Sequence, residues 1–225
     1  MGAEVGDDVE VGVEVAAVAV EGVVDGGEPG VGEDRVGHPH DDMAWPRRRQ
    51  VFTFAVTLPG VTRFLLVPGR GVPFPNHWSR QWARAHRGYR WAPEPSGPPY
   101  VADDRVAALQ TAVAASQEPA VLIAHSAGCL TVAWWARRFS GPVAAALLVT
   151  PPEGPPVPRE PLPFRSIVVV SRDDPHGSFA YGRQLAADWG GELVDAGPVG
   201  HLDSSSGFGP WPDGQKLVAR LAGPA

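Results

Sequence analysis

The chain has 225 residues, enough for one domain with an appendage. Its net charge of −6 is unevenly divided: residues 1–42 hold twelve acids and one base, residues 43–225 thirteen acids and eighteen bases. The bases are scattered apart from Arg47, Arg48 and Arg49, which argues against nucleic-acid binding. A single cysteine, Cys129, excludes an internal disulfide and suits a reducing compartment, while no apolar run approaches the ~18 residues of a membrane span. A cytoplasmic protein without a membrane partner is expected.

Residues 1–42 are dominated by Gly, Val, Glu and Asp. Val9, Val11, Val13 and Val15 alternate as a strand would, yet no aromatic or large aliphatic residue is present, and the acids repel one another. The stretch reads as a disordered acidic tail or as a non-native start, with translation beginning at Met43 or later. Residues 43–60 read as a linker. Arg47–Arg49 followed by the apolar run from Val51 to Leu58 faintly resembles a secretion signal, but no A-x-A cleavage site follows. The folded domain is expected over residues 61–225.

From there apolar runs and amphipathic stretches alternate. Arg63–Val67 reads as a buried strand feeding the glycine-rich loop Pro68–Gly71; His77–His86 as a helix; Tyr89–Ala92 as a short strand. Val106, Leu109 and Val113 have helical spacing within Val101–Ser116. A strand over 120–124 and a helix over Ala127–Arg138 follow, then a strand over Val143–Val149 and a proline-rich loop from Pro151 to Pro163. A strand over Ile167–Ser171, a helix over Ser178–Trp189, a strand over Glu192–Asp195 and a last helix over Pro212–Leu221 complete the pattern. Apolar strands alternating with helices imply a mostly parallel sheet covered on both faces, with ligand sites at the carboxyl ends of the strands.

Those strand ends carry the chemistry. The run Val121–Ala124 breaks at His125 and Ser126, with Ala127 and Gly128 after it. This is the pattern of a nucleophile elbow, in which strand and helix approach so closely that the positions two before and two after the serine must be small. Ala124 and Gly128 occupy them; Gly is usual at both, so Ala124 is a departure. A serine hydroxyl needs a base, and the base an orienting acid. His201, in the loop from Gly197, is the candidate base, and Asp174, just before Pro175, the candidate acid, with Asp173 its rival. The order Ser, Asp, His is the one this elbow is found with. Oxyanion donors are expected from the backbone N–H of Ala127 and of Arg70, the Arg70 side chain being incidental.

Bland readings stand beside these. A serine after a buried strand commonly caps a helix, a lone histidine is commonly a loop residue, and an Asp pair is commonly a solvated turn. His125 serves geometry, and Cys129 packs against the sheet. Trp82, Trp135 and Trp189 read as core, while Trp78, Phe208 and Trp211 are candidates to wall a substrate pocket. His38 and His40 make no credible metal site, and no dinucleotide fingerprint is present, so neither metal nor organic cofactor is expected.

Taken together, Val67-Pro68-Gly69 with His77, Trp78 and Trp82, then Ala124–Cys129, Leu148–Pro152, Ser171–Pro175, and Gly200-His201 with Ser206–Trp211 resemble the serine hydrolases related to retinoblastoma-binding protein 9 and to bacterial YdeN. The resemblance spans about residues 62–221. It implies a compact α/β-hydrolase fold without a substantial lid domain, a triad carried over as Ser126, Asp174 and His201, and esterase-like action on a small ester or amide substrate. A scaffold kept for binding, with little turnover, is the alternative. Substrate and oligomeric state are not legible.

Overall fold

The computed structural model describes residues 63–223. The acidic tail, the linker, the Val51–Leu58 run and His38 and His40 lie outside the described residues. The elements run β1 (Arg63–Val67), α1 (Trp78–Ala85), β2 (Tyr89–Trp91), α2 (Ala102–Ala114), β3 (Ala120–His125), α3 (Ala127–Arg138), β4 (Val143–Val149), β5 (Arg165–Val170), α4 (Phe179–Asp188), β6 (Glu192–Asp195) and α5 (Pro212–Ala222). A 3₁₀ turn at Ser204–Ser206, which the periodicity does not announce, precedes α5.

All strand pairs are parallel, in the order β2-β1-β3-β4-β5-β6. Parallel strands must be joined by crossovers, and here the crossovers supply helices to both faces. Successive residues of a strand point to opposite faces, so each strand feeds two cores. On one face Leu122 and Ala124 of β3 and Leu148 of β4 pack with Leu109 of α2, Val132 and Trp135 of α3, and Leu185 of α4. On the other, Val121 and Ile123 of β3 and Leu147 of β4 meet Trp78 and Trp82 of α1 and Val218 and Leu221 of α5. The central strands are therefore apolar throughout, which is why they read as continuous runs.

The helix boundaries follow local chemistry. The His77 ring accepts from the Ser79 N–H at the start of α1, and the Ser178 hydroxyl accepts from the Tyr181 N–H at the start of α4. Pro212 opens α5, where its missing N–H has no intrahelical role. Trp135 and Trp189 are fully buried, with their indole N–H groups donating to Gln110 Oε1 and to the Pro158 carbonyl at 2.8 Å each. Residues 150–164, between β4 and β5, form no helix or strand and no lid domain. Among the described residues no helix is long and apolar enough to cross a membrane.

Candidate active site

Ser126 sits between the last residue of β3 and the first of α3 with φ 56° and ψ −127°, a conformation that side-chain-bearing residues adopt at a cost. The turn is held by the Ser126 N–H donating to the Val149 carbonyl at 2.9 Å and the Cys129 N–H donating to the Ser126 carbonyl at 2.9 Å. The Ser126 hydroxyl makes no capping hydrogen bond, so the bland reading of this serine as a helix cap does not apply. It remains half-buried at the wall of a cavity of about 340 Å³.

The two small elbow positions prove unequal. A Cβ at Gly128 would lie 2.2 Å from the Val67 carbonyl oxygen and 2.9 Å from that of Pro68. Glycine is thus obligatory where α3 crosses the end of β1. Ala124 is a β3 residue paired with Val67 and Leu148, and its methyl group is buried among the core side chains. A methyl fits there, which accounts for the departure from the usual pattern.

The His201 ring lies against Asp174. Its Nδ1–H donates to the carboxylate, 2.9 Å from each oxygen, and the two side chains are 6% and 2% exposed. The other ring nitrogen, Nε2, is therefore left as the potential base. Asp174 Oδ1 also accepts the His176 N–H at 2.8 Å. Asp173 does something different. Its Oδ1 accepts the Gly200 N–H at 2.7 Å and the Ser171 hydroxyl at 2.8 Å, bonds that hold its carboxyl below the usual range. One aspartate grips the imidazole and its neighbour grips the loop that carries it.

That loop is held at every backbone group of His201. The His201 N–H donates to Ser206 Oγ at 2.9 Å. Its carbonyl accepts from His125 Nε2 at 2.9 Å and from the Thr150 hydroxyl at 3.3 Å. Thr150 and Leu202, with φ of 47° and 46°, are with Ser126 the non-glycine residues at positive φ among those described. Backbone strain is thus concentrated around Ser126 and His201. Asp203 accepts from Ser205 Oγ, Ser206 N–H and Ser206 Oγ. Burial works to raise its pKa, but these bonds outweigh burial and hold it at about 2.

Burial also keeps two imidazoles neutral. It lowers His125 to about 3, assisted by the neighbouring His77 and His201 rings, and lowers His77 to about 4 against the pull of Asp203. The expectation that His125 serves geometry acquires content: a neutral ring whose Nε2–H points at the His201 carbonyl. Cys129 is buried, its thiol pushed up in pKa by that burial, and its Sγ lies 3.3 Å from the Val149 carbonyl.

Ser126 and His201 line the same cavity, together with Gly69, Arg70 and Ala127. Among the described residues Ser126 Oγ has no hydrogen-bond partner, so serine and imidazole share the cavity without being joined. A Cβ at Gly69 would come within 2.9 Å of Ser126 Cβ and 3.4 Å of Ser126 Oγ, so the backbone of the loop after β1 lies directly on the serine. Ala127 is the first residue of α3, and its N–H has no intrahelical acceptor. The Arg70 guanidinium stands 5.5 Å from the Tyr100 ring centroid.

The pocket walls differ from expectation. Trp78 is fully buried, its Nε1–H donating to the Leu202 carbonyl at 2.9 Å, and its ring packs on Trp82 and Trp211 at 4.7 and 5.2 Å. Trp211 is 6% exposed and Phe208 packs beside it, their ring centroids 6.2 Å apart. All three belong to the core beneath β3 and β4, and none lines the cavity. The apolar wall comes instead from Val72, Phe74, Leu130, Pro152 and Pro155, residues in loops and on the first turn of α3 with no periodicity to mark them. Among the described residues no group of His, Cys, Asp or Glu could hold a metal.

The pattern of a family described as serine hydrolase matches residues 64–220. No curated protein matches the chain. The fold is similar to a YdeN-like hydrolase of Pectobacterium atrosepticum, 28% identical over 72% of this chain and 91% of that one, with a TM-score of 0.68. It is also similar to the ydeN gene product of B. subtilis, 16% identical over 71% of this chain and 98% of that one, with a TM-score of 0.52. A hydrolase of the α/β superfamily from Xanthomonas campestris is 19% identical over 72% of this chain and 95% of that one, again with a TM-score of 0.52. The six-stranded parallel sheet, the strained serine at the end of β3 and the match over nearly the whole described chain lead to one conclusion: this protein is a member of the serine hydrolase family, with an α/β-hydrolase fold.

Proposed function

We propose that the protein is a cytoplasmic carboxylesterase-like serine hydrolase that cleaves a small ester or amide through an acyl-enzyme. Ser126 Oγ attacks the substrate carbonyl carbon while His201 Nε2 takes its proton. Asp174 keeps the proton of Nδ1 in place and stabilises the imidazolium as it forms. The negative charge that develops on the carbonyl oxygen is met by the Ala127 and Arg70 N–H groups, of which the first also gains from the α3 dipole. His201 then returns the proton to the leaving alcohol or amine, and water repeats the sequence on the acyl-enzyme. No metal or organic cofactor is required by these steps.

The observation that carries this reading is the buried Asp174–His201 contact beside the cavity that an uncapped, strained and half-buried serine also lines. The cavity volume suits a small substrate, and its apolar wall suits an uncharged acyl or alcohol group. A second reading, a binding protein with little turnover, has one observation in its favour: the missing hydrogen bond from Ser126 Oγ. Catalytic hydrogen bonds are often long before substrate arrives and tighten with it. The test is labelling by a fluorophosphonate probe, with turnover of p-nitrophenyl acetate and butyrate. Labelling and turnover that vanish in Ser126→Ala are expected; a wild-type protein that takes no label would favour the binding scaffold.

A further inference from the structure

Arg105, in the first turn of α2, is a buried cation held by carbonyl oxygens and an aromatic face. The residue is 5% exposed. Its Nη2 donates to the Pro68 and the Gly69 carbonyl, each at 3.0 Å, and its guanidinium stands 4.8 Å from the Tyr100 ring centroid. It makes no ion pair with a carboxylate among the described residues, and its helix neighbour Asp103 pairs outward with Arg138. A buried charge without a counter-ion costs folding free energy that an apolar residue of similar volume would save. The partners it has chosen suggest what that cost secures.

Pro68 and Gly69 belong to the loop that leaves β1 and lies on Ser126. Peptide bonds to non-proline residues are trans, so the carbonyl and the N–H of one peptide point in opposite directions. Arg105 draws the Gly69 oxygen toward α2. The Arg70 N–H, in the same peptide, is thereby turned away from α2, on a loop that lines the cavity. A positive charge behind the carbonyl also polarises the peptide in the sense that strengthens the N–H as a donor. Tyr100 ties this arrangement to the other donor. Its hydroxyl donates to the Ala127 carbonyl at 3.1 Å while its ring faces both Arg105 and Arg70.

We propose that Arg105 is the positioning residue of the oxyanion hole: braced on Tyr100, it holds the Pro68 and Gly69 carbonyls back and so aims the Arg70 N–H at the oxygen of the reacting carbonyl. The role rests on the serine hydrolase reading above. It acts through the loop and touches no substrate, so it should alter the rate of the chemical step and leave substrate binding alone.

The experiment compares wild type with Arg105→Met and Arg105→Lys. It follows the rate of fluorophosphonate labelling, kcat and KM for p-nitrophenyl acetate, and the folded fraction by circular dichroism. Per folded molecule, Arg105→Met should slow labelling and lower kcat by about 10- to 100-fold, with KM changed by less than about threefold. Lysine keeps the charge but lacks the planar guanidinium that faces the Tyr100 ring, so it is less firmly braced, and Arg105→Lys should fall between, about 3- to 10-fold below wild type. If Arg105→Met does not fold, Arg105→Lys carries the test alone. Wild-type labelling and kcat per folded molecule in the variants that fold, or a loss confined to KM, would overturn the role of Arg105 and leave the hydrolase reading intact. A wild-type protein that takes no label would overturn both.

Discussion

Exchanging each of two adjacent carboxylates for an amide should separate their roles. Asp174→Asn keeps the size of the side chain but replaces an acceptor-only group with one that can also donate. The carboxylate now lies 2.9 Å by both oxygens from His201 Nδ1 and is 2% exposed, so water cannot substitute for it. With an amide NH₂ facing the ring, the imidazole takes the other tautomer, with Nδ1 accepting and Nε2 protonated, and Nε2 cannot receive the serine proton. The loss expected is about 10⁴ in kcat, equivalent to about 5.5 kcal/mol of transition-state stabilisation. Asp173→Asn retains a carbonyl-type oxygen for the Gly200 N–H and the Ser171 hydroxyl and loses only the charge. Its kcat should stay within about fivefold of wild type, because an exposed charge-assisted bond is weakened, not removed. The assay is kcat on p-nitrophenyl acetate across pH 6–9, with circular dichroism to confirm folding. A crippled Asp173→Asn beside a mild Asp174→Asn would refute the assignment of the acid and the tautomer argument with it.

Acid should destabilise the fold through its neutral imidazoles. His77 and His125 have folded pKa values of about 4 and about 3, below the unfolded 6.5, so the unfolded chain binds more protons and stability falls as pH drops below 6.5. Between pH 6.5 and 4 each should contribute a loss on the order of 3 kcal/mol, read as a falling urea midpoint; a midpoint flat over that window would contradict it. Gly128→Ala should cost at least ~3 kcal/mol, since the new methyl meets backbone oxygens that cannot move aside, whereas Ala124→Gly should cost about 1 kcal/mol. Equal effects at the two positions, measured by chemical unfolding, would count against the account of the elbow. Trp78→Phe leaves the Leu202 carbonyl without its donor and should destabilise by about 2–4 kcal/mol with kcat retained in the folded protein. A loss of substrate binding without loss of stability would return Trp78 to the pocket wall.

What was readable in the sequence is what local chemistry controls. The apolar runs of β1, β3, β4 and β5 announced a parallel sheet buried on both faces, because each residue of a central strand has a hydrophobic neighbour whichever way it points. The serine between small residues marked the elbow because strand and helix there are contiguous in the chain. The sequence favours Asp174 over Asp173 only by its place before Pro175: adjacent side chains diverge, and which one meets the imidazole depends on a loop 27 residues away. The aromatic residues that read as pocket wall differ for a related reason. Trp78, Phe208 and Trp211 are near the site in sequence, but the sheet lies between being near a loop and facing its cavity, and the cores on its two faces draw large aromatic rings inward. Arg105 gave no signal at all, since an arginine in the first turn of an amphipathic helix reads as solvated until the fold sets the carbonyls of a distant loop against it. Secondary structure and the order of the chemical groups are decided by neighbours along the chain; the direction in which each group finally points is decided by residues dozens of positions away.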